Sequence, residues 1–348
     1  MPLQRMTTAI SVIKRRFSHE KDRKDFKLFG LFVLCIFLAR VASAAEIKIA
    51  LDSPPDLEKS GTYVWAKTFG DILQANGLKV KEFPRDALGG EEEKLDQVSQ
   101  GLLEVSMSDL AKAGQLNPTI FGFHLPYIFD SVAHLDRVID KTDLMAKVNA
   151  GTTKKGVRVL ALVTVGGFNG MANTKRPVKT PEDLKGLRIR AMDKAQAQYL
   201  EAWGASTVIV PWAEIYSALQ TGVADGYLNA AIVPILFKHT EVLKYYSDIK
   251  YSAPLRVGVC SETWYQGLSQ KERAIVNDAV AKANTANRNW QANIEKSGLE
   301  QLKTTGMKIH MSTSEERAQF AKPVRPVYFK VISEEIAKAF IAAADSNR

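Results

Sequence analysis

The sequence predicts an α/β fold in which helices cover parallel β-sheets, and three observations lead to this prediction. From residue 46 onward, short β-rich runs alternate with helical segments, the pattern of repeated strand and helix units. The chain has 348 residues, enough for about two ordinary domains. Its composition, 46% apolar and 24% charged, is that of a globular protein. We therefore expect a two-domain α/β protein.

The first elements after the amino-terminal segment follow from periodicity. Alternating polar and apolar residues predict a strand over 46–51, and apolar residues near a 3.6-residue period predict a helix over 61–77. The next strand is expected over 78–83. Acidic residues in the first turn and a closing glycine favour a helix over 91–101. A further strand over 102–110 completes this region.

The second half repeats the alternation and then changes. Strands are predicted over 157–167, 187–192 and 206–211. A helix is predicted over 212–222, with Ile215, Ala218 and Leu219 as its buried stripe. The stretch 268–306 is helical over more than thirty residues. A helix of that length can brace two separate lobes.

The charge of the chain is concentrated at its amino terminus. The net charge is +9, but residues 1–44 carry nine of the 47 Lys and Arg and only three of the 38 Asp and Glu. The remaining chain therefore has a net charge of only +3. This balance gives no reason to expect nucleic acid as a partner.

Residues 1–44 read as a signal peptide for secretion. A basic region precedes an apolar stretch over 28–39, and the small residues "VASA" precede Ala45. The alternative is a membrane anchor, but twelve residues are fewer than the ~20 needed to span a bilayer. Met6 is an alternative start of the chain.

The rest of the sequence offers no redox, metal or cofactor signature. Cys260 is the only cysteine after residue 44, so the mature chain cannot form an internal disulfide, and we expect Cys260 to be a small core residue. Nucleotide-binding glycine motifs, the G-x-S-x-G motif and H-E-x-x-H are missing, and the histidines are scattered. No cofactor and no metal are expected.

Two arginines in the strand over 187–192 raise the question of which anion neutralises them. In "LKGLRIRAM", Arg188 and Arg190 point to the same side of the strand. A guanidinium is seldom buried without an anion. The anion for Arg190 is either a protein carboxylate, such as Asp193 or Glu214, or a ligand; Arg188 is expected to be solvated or structurally paired.

The surrounding block resembles the substrate-binding proteins of TRAP transporters, the family named for binding C4-dicarboxylates. The resemblance extends over essentially all of 46–340. It is carried by "KRPVKTPEDLKGLRIR" (175–190), "PWAEIYSALQTGVADG" (211–226), Asn229, "DALGGEEEKLDQVSQGLLEVSMSD" (86–109) and "LPYIF" (125–129).

This resemblance implies a two-lobed periplasmic-binding-protein-like fold, with hinge strands and the long helix bracing both lobes. The implied function is an extracytoplasmic receptor that closes on a small organic acid and delivers it to TRAP membrane subunits. The corresponding domains are lobe I, over 45–167 plus 254–294, and lobe II, over 168–253 plus 295–348. The crossings near 166–167 and 252–254 would be the hinge strands.

The resemblance also implies a set of ligand-binding residues. Arg190 falls at the position of the family's carboxylate-clamping arginine, and a guanidinium fork matches a carboxylate in two hydrogen bonds. Gly170 stands where several members carry a second arginine, so one arginine with Asn169 suits a monocarboxylate better than a dicarboxylate. The other implied contacts are Asn229, Trp212, Asp109, Met107 and Asp52.

Asn229, Trp212 and Asp52 each have an ordinary structural alternative. Asn229 either hydrogen-bonds ligand oxygens or is a turn residue, and Trp212 either covers the ligand or belongs to an aromatic core. Asp109 suits a ligand hydroxyl or amine and repels a second carboxylate, and Asp52 either faces the cleft or caps a loop.

Two other functions remain open. One is an organic-acid enzyme on the same fold, for which Cys260 and His124 are the only loose candidates for a nucleophile or base. The other is a receptor that feeds a sensor kinase rather than a transporter.

Overall fold

Eleven strands form two β-sheets in the computed structural model, which describes residues 46–348. The predicted signal peptide lies outside the described residues. The strands are β1 (Ile47–Ala50), β2 (Val80–Phe83), β3 (Val105–Asp109), β4 (Val157–Thr164), β5 (Gly170–Asn173), β6 (Arg188–Ala191), β7 (Ser206–Ile209), β8 (Gly226–Asn229), β9 (Tyr245–Asp248), β10 (Leu255–Ser261) and β11 (Lys308–Met311).

Thirteen α-helices within residues 46–348 pack around the sheets. They are α1 (Gly61–Ala75), α2 (Glu91–Ser99), α3 (Leu110–Leu116), α4 (Val132–Lys141), α5 (Leu144–Thr152), α6 (Lys194–Ala202), α7 (Ile215–Gln220), α8 (Val233–Leu236), α9 (Glu262–Gly267), α10 (Gln270–Thr304), α11 (Ser314–Val324), α12 (Tyr328–Val331) and α13 (Glu334–Ser346). Short 3₁₀ turns cover Pro118–His124, Thr153–Lys155, Pro181–Leu184, Trp212–Glu214, His239–Glu241 and Arg325–Val327. No helix in this part of the chain has both the length and the apolar character to cross a membrane.

The sheets are mixed rather than parallel. The strand order is β2-β1-β3-β10-β4 in the first sheet and β11-β9-β5-β8-β6-β7 in the second. β10 runs antiparallel to β3 and β4, and β5 runs antiparallel to β8 and β9. Both of these strands follow a crossing from the other sheet, and the expected parallel pairing holds for all other neighbouring strands. We call each sheet with the helices packed on it a lobe.

The chain crosses between the lobes twice, and the two crossings lie side by side. The first crossing joins β4 to β5 and the second joins β9 to β10. Backbone hydrogen bonds connect them: Val165 donates to Pro254 (3.0 Å), Asn169 donates to Ser252 (2.9 Å), and Tyr251 donates to Asn169 (2.8 Å). The predicted crossings near 166–167 and 252–254 fall in this ribbon.

Helix α10 contacts both lobes, as the sequence predicts. Its start is fixed by a capping box in which Ser269 and Glu272 exchange hydrogen bonds. In the first lobe, the buried amide of Asn287 bonds to Thr164. Near its other end, Leu302 packs in the core of the second lobe with Tyr246. The helix therefore spans the joint between the sheets.

The final helix, α13, packs on the first lobe. The ring of Phe340 meets Phe123 edge to face at 4.8 Å, and His134 is hydrogen-bonded to the carbonyl of Ala344 (2.9 Å). Phe340 can approach because Gly122 has no side chain; a Cβ there would lie 2.2 Å from the Phe340 ring. The predicted domains had assigned 295–348 to lobe II, so the contacts of α13 differ from that division.

Candidate functional site

A cavity of about 110 Å³ lies between the two sheets, next to the ribbon of crossings. Its lining comes from both lobes and from Asn169 and Pro254 of the crossings. Loops that leave the ends of the strands form its walls, which is where open α/β sheets bind their ligands. Most of the predicted site residues meet here.

Arg190 contributes the guanidinium without an acidic partner. The alternation in β6 puts Ile189 and Ala191 in the core and turns the Arg190 side chain, 7% exposed, to the cavity. Its Nε donates to the carbonyl of Val210 (2.9 Å) and the group lies 5.8 Å from the Trp212 ring. Among the described residues, no carboxylate lies within 4.0 Å of it.

The two protein carboxylates suggested as partners for Arg190 have other positions. Asp193 caps helix α6 by accepting a hydrogen bond from Gln196, and Glu214 closes the 3₁₀ turn before α7. Burial lowers the pKa of Arg190 to about 10, although the charges of Asp109 and Asp193 oppose this shift. The guanidinium is thus buried with its charge uncompensated at close range. Arg188, two residues earlier, is exposed and donates to the carbonyl of Gly222.

Arg256 is a second cavity arginine, and three carboxylates surround it. Its nitrogens lie 2.6 Å from Asp52, 2.6 Å from Glu91 and 3.1 Å from Asp109. Burial raises the pKa of Glu91, but the charges of Arg256 and Lys94 outweigh it and bring this pKa to about 2. This cluster is a structural ion network in the wall of the first lobe.

Two of the residues predicted to contact the ligand, Asp109 and Asp52, belong to this ion network. Asp109 caps helix α3 with one carboxylate oxygen and pairs with Arg256 through the other. One oxygen of Asp52 faces Arg256; the other, Oδ1, is buried without a hydrogen-bond partner among residues 46–348. Both residues line the cavity. Met107 does not: its side chain is fully buried in the core beside Trp65.

The second lobe supplies Trp212 and Asn229, and the crossing supplies Asn169. The Trp212 ring packs against Phe237 at 5.0 Å and covers the Arg190 guanidinium. Asn229, at the end of β8, accepts a hydrogen bond from the Ala230 backbone and lines the cavity. Asn169 donates to the hydroxyl of Ser252 (3.1 Å). The structure thus brings together every predicted contact except Met107.

Three hydroxyl groups and two paired cations complete the first-lobe wall. Ser53 and Ser60 each bond to Thr62, at 2.9 and 3.3 Å. Two further cations at the cavity have acidic partners, since Lys59 pairs with Asp56 and Arg85 with Asp86. The sequence reasoning did not identify these hydroxyls or Arg256. A lone arginine in the apolar run 255–260 was the available signal for Arg256.

The two candidates for a catalytic nucleophile or base, Cys260 and His124, lie in different environments. Cys260 is fully buried in the core, where burial raises the pKa of its thiol, and it does not line the cavity. His124 does line the cavity, and burial lowers its pKa to about 4. Among residues 46–348, no group of three or more His, Cys, Asp and Glu is placed to hold a metal ion.

Comparison with known proteins gives one family. Residues 53–335 match the model of bacterial extracellular solute-binding proteins, family 7. This match extends over both lobes and includes every residue of the cavity wall named above except Asp52.

Curated relatives agree with this match. The chain is 28% identical to the 2,3-diketo-L-gulonate-binding periplasmic protein of Escherichia coli, over 81% of this chain and 86% of that protein. It is 27% identical to the C4-dicarboxylate-binding periplasmic protein of Rhodobacter capsulatus, over 89% and 93%.

A solved structure extends the similarity to the fold. A TRAP periplasmic solute-binding protein from Polaromonas, bound to D-erythronate, superposes with a TM-score of 0.79 and 27% identity. The match covers 87% of this chain and 99% of that chain. The two-lobed fold with a long helix, predicted above, is therefore confirmed.

Proposed function

The chain belongs to family 7 of the bacterial extracellular solute-binding proteins, and on this premise we propose that it binds a small organic acid between its lobes for a TRAP transporter. Members of this family are receptors for solutes. The free guanidinium of Arg190 is the observation that carries the choice of an acid. It is a buried cation that lines the interlobe cavity, and no carboxylate of residues 46–348 lies within 4.0 Å of it.

A ligand carboxylate at Arg190 would supply the missing anion. The Nε of Arg190 already donates to Val210, so its terminal amino groups remain for the ligand. Such charge-assisted hydrogen bonds contribute about 1.5–3 kcal/mol each. Trp212 would cover the pair and limit its exposure to water, and Asn169 and Asn229 would offer amide groups to the remaining ligand oxygens.

The opposite wall favours hydroxyl groups rather than a second carboxylate on the ligand. Its cations are engaged with Asp and Glu, whereas Asp52, with one carboxylate oxygen that has no hydrogen-bond partner among residues 46–348, lines the cavity together with Ser53 and Thr62. A buried carboxylate oxygen accepts a hydrogen bond from a hydroxyl and repels another carboxylate. We therefore propose a hydroxylated monocarboxylate. D-erythronate, the ligand of the Polaromonas structure, has this chemistry.

Closure would take place at the ribbon of crossings. The two crossing segments are hydrogen-bonded to each other, and the ligand would contact a guanidinium on one lobe and hydroxyls on the other. A ligand that touches both lobes stabilises the closed form by the interactions it makes only there. The closed, loaded receptor would then deliver the acid to the TRAP membrane subunits.

The receptor would act in the periplasm. Residues 1–44 would be the signal peptide, with a mature chain that begins near Ala45. Mass spectrometry of the protein recovered from a periplasmic extract would check this point. A recovered chain that retains residues 1–44 would contradict it.

A thermal-shift screen tests the proposed ligand class. The purified protein would be heated with hydroxylated monocarboxylates of three to six carbons, with matched unsubstituted acids and dicarboxylates, and with the corresponding uncharged polyols. A ligand at about 100 times its dissociation constant stabilises the folded protein by about 2.7 kcal/mol. The hydroxylated monocarboxylates should give the largest increase in melting temperature.

The matched classes separate the two parts of the proposal. If dicarboxylates stabilise most, the ligand is an acid but the proposed class is wrong. If the polyols match the acids, or no acid stabilises the protein, the proposed role of Arg190 as a carboxylate site is overturned.

A further inference from the structure

A second, much smaller cavity lies directly behind the ligand cavity. Its volume is about 20 Å³, against the roughly 10–15 Å³ that one water requires. His124, Leu110 and Met192 line both cavities, so these side chains lie between them. The small cavity is therefore adjacent to the proposed ligand without being part of its site.

Polar groups without protein partners are concentrated around this small cavity. Four of its lining residues carry buried side-chain atoms that have no hydrogen-bond partner among residues 46–348: Nδ1 and Nε2 of His124, Nε2 of Gln196, and the hydroxyls of Tyr199 and Tyr251. His124 is partly exposed as a residue, but both ring nitrogens are buried. Burial lowers the pKa of His124, although the charge of Asp109 and the backbone of Ala253 favour the protonated ring.

These four residues come from three parts of the fold. His124 ends a 3₁₀ turn of the first lobe, Gln196 and Tyr199 lie on helix α6 of the second lobe, and Tyr251 belongs to the second crossing. Tyr251 is at their centre, with its ring 6.1 Å from that of His124 and 6.4 Å from that of Tyr199. A group bound among them would connect both lobes to the crossing ribbon.

We propose that this small cavity is a binding site for one ordered water that bridges His124 and Tyr251 to helix α6. Unpaired buried polar groups are costly, and buried waters typically make about three hydrogen bonds to such groups. An oxygen that both donates and accepts suits the set, because hydroxyls do both, an amide NH₂ donates, and a neutral imidazole has one donor and one acceptor. The volume admits one water and little else.

The bridge gives His124 a defined role in ligand recognition. A water that holds one ring nitrogen fixes which nitrogen carries the proton, so that the His124 ring lines the ligand cavity in one defined tautomer. This consequence rests on the proposed function, whereas the water site itself does not. Since the ring is neutral at physiological pH, it would hydrogen-bond to a ligand hydroxyl rather than form an ion pair with a carboxylate.

Substitution of each tyrosine by phenylalanine tests the water site without any ligand. If Tyr199 and Tyr251 bond to a water, Y199F and Y251F each lose a hydrogen bond, and the melting temperature of the ligand-free protein should fall by on the order of 1–2 °C. If no water is bound, each change removes an unsatisfied hydroxyl, and the melting temperature should rise. Because the two tyrosines share one water, the double variant should lose less than the sum of the two single variants.

A control variant shows how the melting temperature changes when a tyrosine that is known to be hydrogen-bonded is replaced by phenylalanine. The hydroxyl of Tyr265 bonds to Asn277 at 2.9 Å, away from both cavities, so Y265F should lower the melting temperature by a similar amount. A crystal structure of the protein with D-erythronate provides the direct check. An ordered oxygen among the four side chains, separate from the acid, supports the site. A rise in melting temperature for Y199F and Y251F, or acid atoms in the small cavity, overturns it.

Discussion

Arg190 and Arg256 line the same cavity, but their electrostatic surroundings are opposite. Arg256, in the first lobe, is within 3.1 Å of three carboxylates. Arg190, in the second lobe, has a backbone carbonyl as its hydrogen-bond acceptor, and no carboxylate of the described chain lies within 4.0 Å of it. The position of an arginine in a cleft therefore does not assign its role. What assigns the role is whether the protein already supplies the anion.

The two environments also divide the cavity into unlike halves. In the first-lobe network, Asp52, Glu91 and Asp109 face Arg256 and the buried Lys94, so the carboxylates outnumber the cations by one. Opposite them stands the uncompensated charge of Arg190. A ligand with one carboxylate and several hydroxyls matches this polarity, and a second carboxylate would meet the more negative wall.

The largest expected effect is the loss of the first-lobe network. Replacing Arg256 by leucine leaves three carboxylates in a buried wall without their shared cation. Breaking a buried ion pair by removing one partner typically costs about 3–5 kcal/mol. We expect R256L to lower the free energy of unfolding at pH 7 by this amount, measured by denaturant titration.

A matched arginine outside the cavity serves as the control. Arg158 pairs with a single carboxylate, that of Glu262, at 2.7 Å, whereas Arg256 is shared by three. Since R158L leaves one carboxylate without its cation and R256L leaves three, R158L should be the milder change. Equal losses for R256L and R158L would contradict the assigned role of the network.

Acid should remove a comparable part of the stability. The pKa of Glu91 is about 2 in the folded protein, against an ordinary value of 4.5. A carboxyl whose pKa is lowered on folding stabilises the protein above its unfolded pKa, and this contribution is lost as the pH falls from about 4.5 to 2. The shift corresponds to about 3 kcal/mol.

Comparison with E91Q isolates this group from the other carboxylates. At pH 7 the wild-type protein should be more stable than E91Q, and the difference in unfolding free energy should shrink as the pH is lowered toward 2. Denaturant titrations at several pH values would measure it. A difference that stays constant from pH 7 to pH 3 would show that Glu91 does not titrate as the network requires.

The fold could be predicted from the sequence largely because periodicity is local. Helix α10 was expected within 268–306 and spans Gln270–Thr304, and the strand expected over 46–51 is β1 at Ile47–Ala50. Strand direction could not be predicted in this way, because alternation is the same in either direction. The antiparallel β5 and β10 depend on where the chain crosses between lobes, which is a tertiary property.

Site residues could be predicted only where a single residue is unusual in its local sequence. A buried guanidinium in an apolar strand singled out Arg190, and the same argument applied to "LRVGVC" would have singled out Arg256. The sequence could not show that Arg256 is neutralised, since its partners lie at positions 52, 91 and 109. Met107 was expected in the cleft, but the pleat of β3 turns its side chain into the core.

The smallest of the three expected effects is that of replacing Arg190, and it tests most directly whether the roles of Arg190 and Arg256 differ. Replacing Arg190 by methionine removes the proposed carboxylate clamp. Loss of a two-point charge-assisted contact should weaken binding of the acid that stabilises the protein most in the thermal-shift screen about 100-fold, measured by calorimetry. Burial already lowers the pKa of Arg190, so its charge is disfavoured in the folded protein, and R190M should keep or raise the melting temperature without ligand.

R188M, on the same strand but exposed, is the control and should leave affinity within about twofold. R190M with unchanged affinity, or with a stability loss like that of R256L, would mean that Arg190 is a structural arginine and that the acid binds elsewhere.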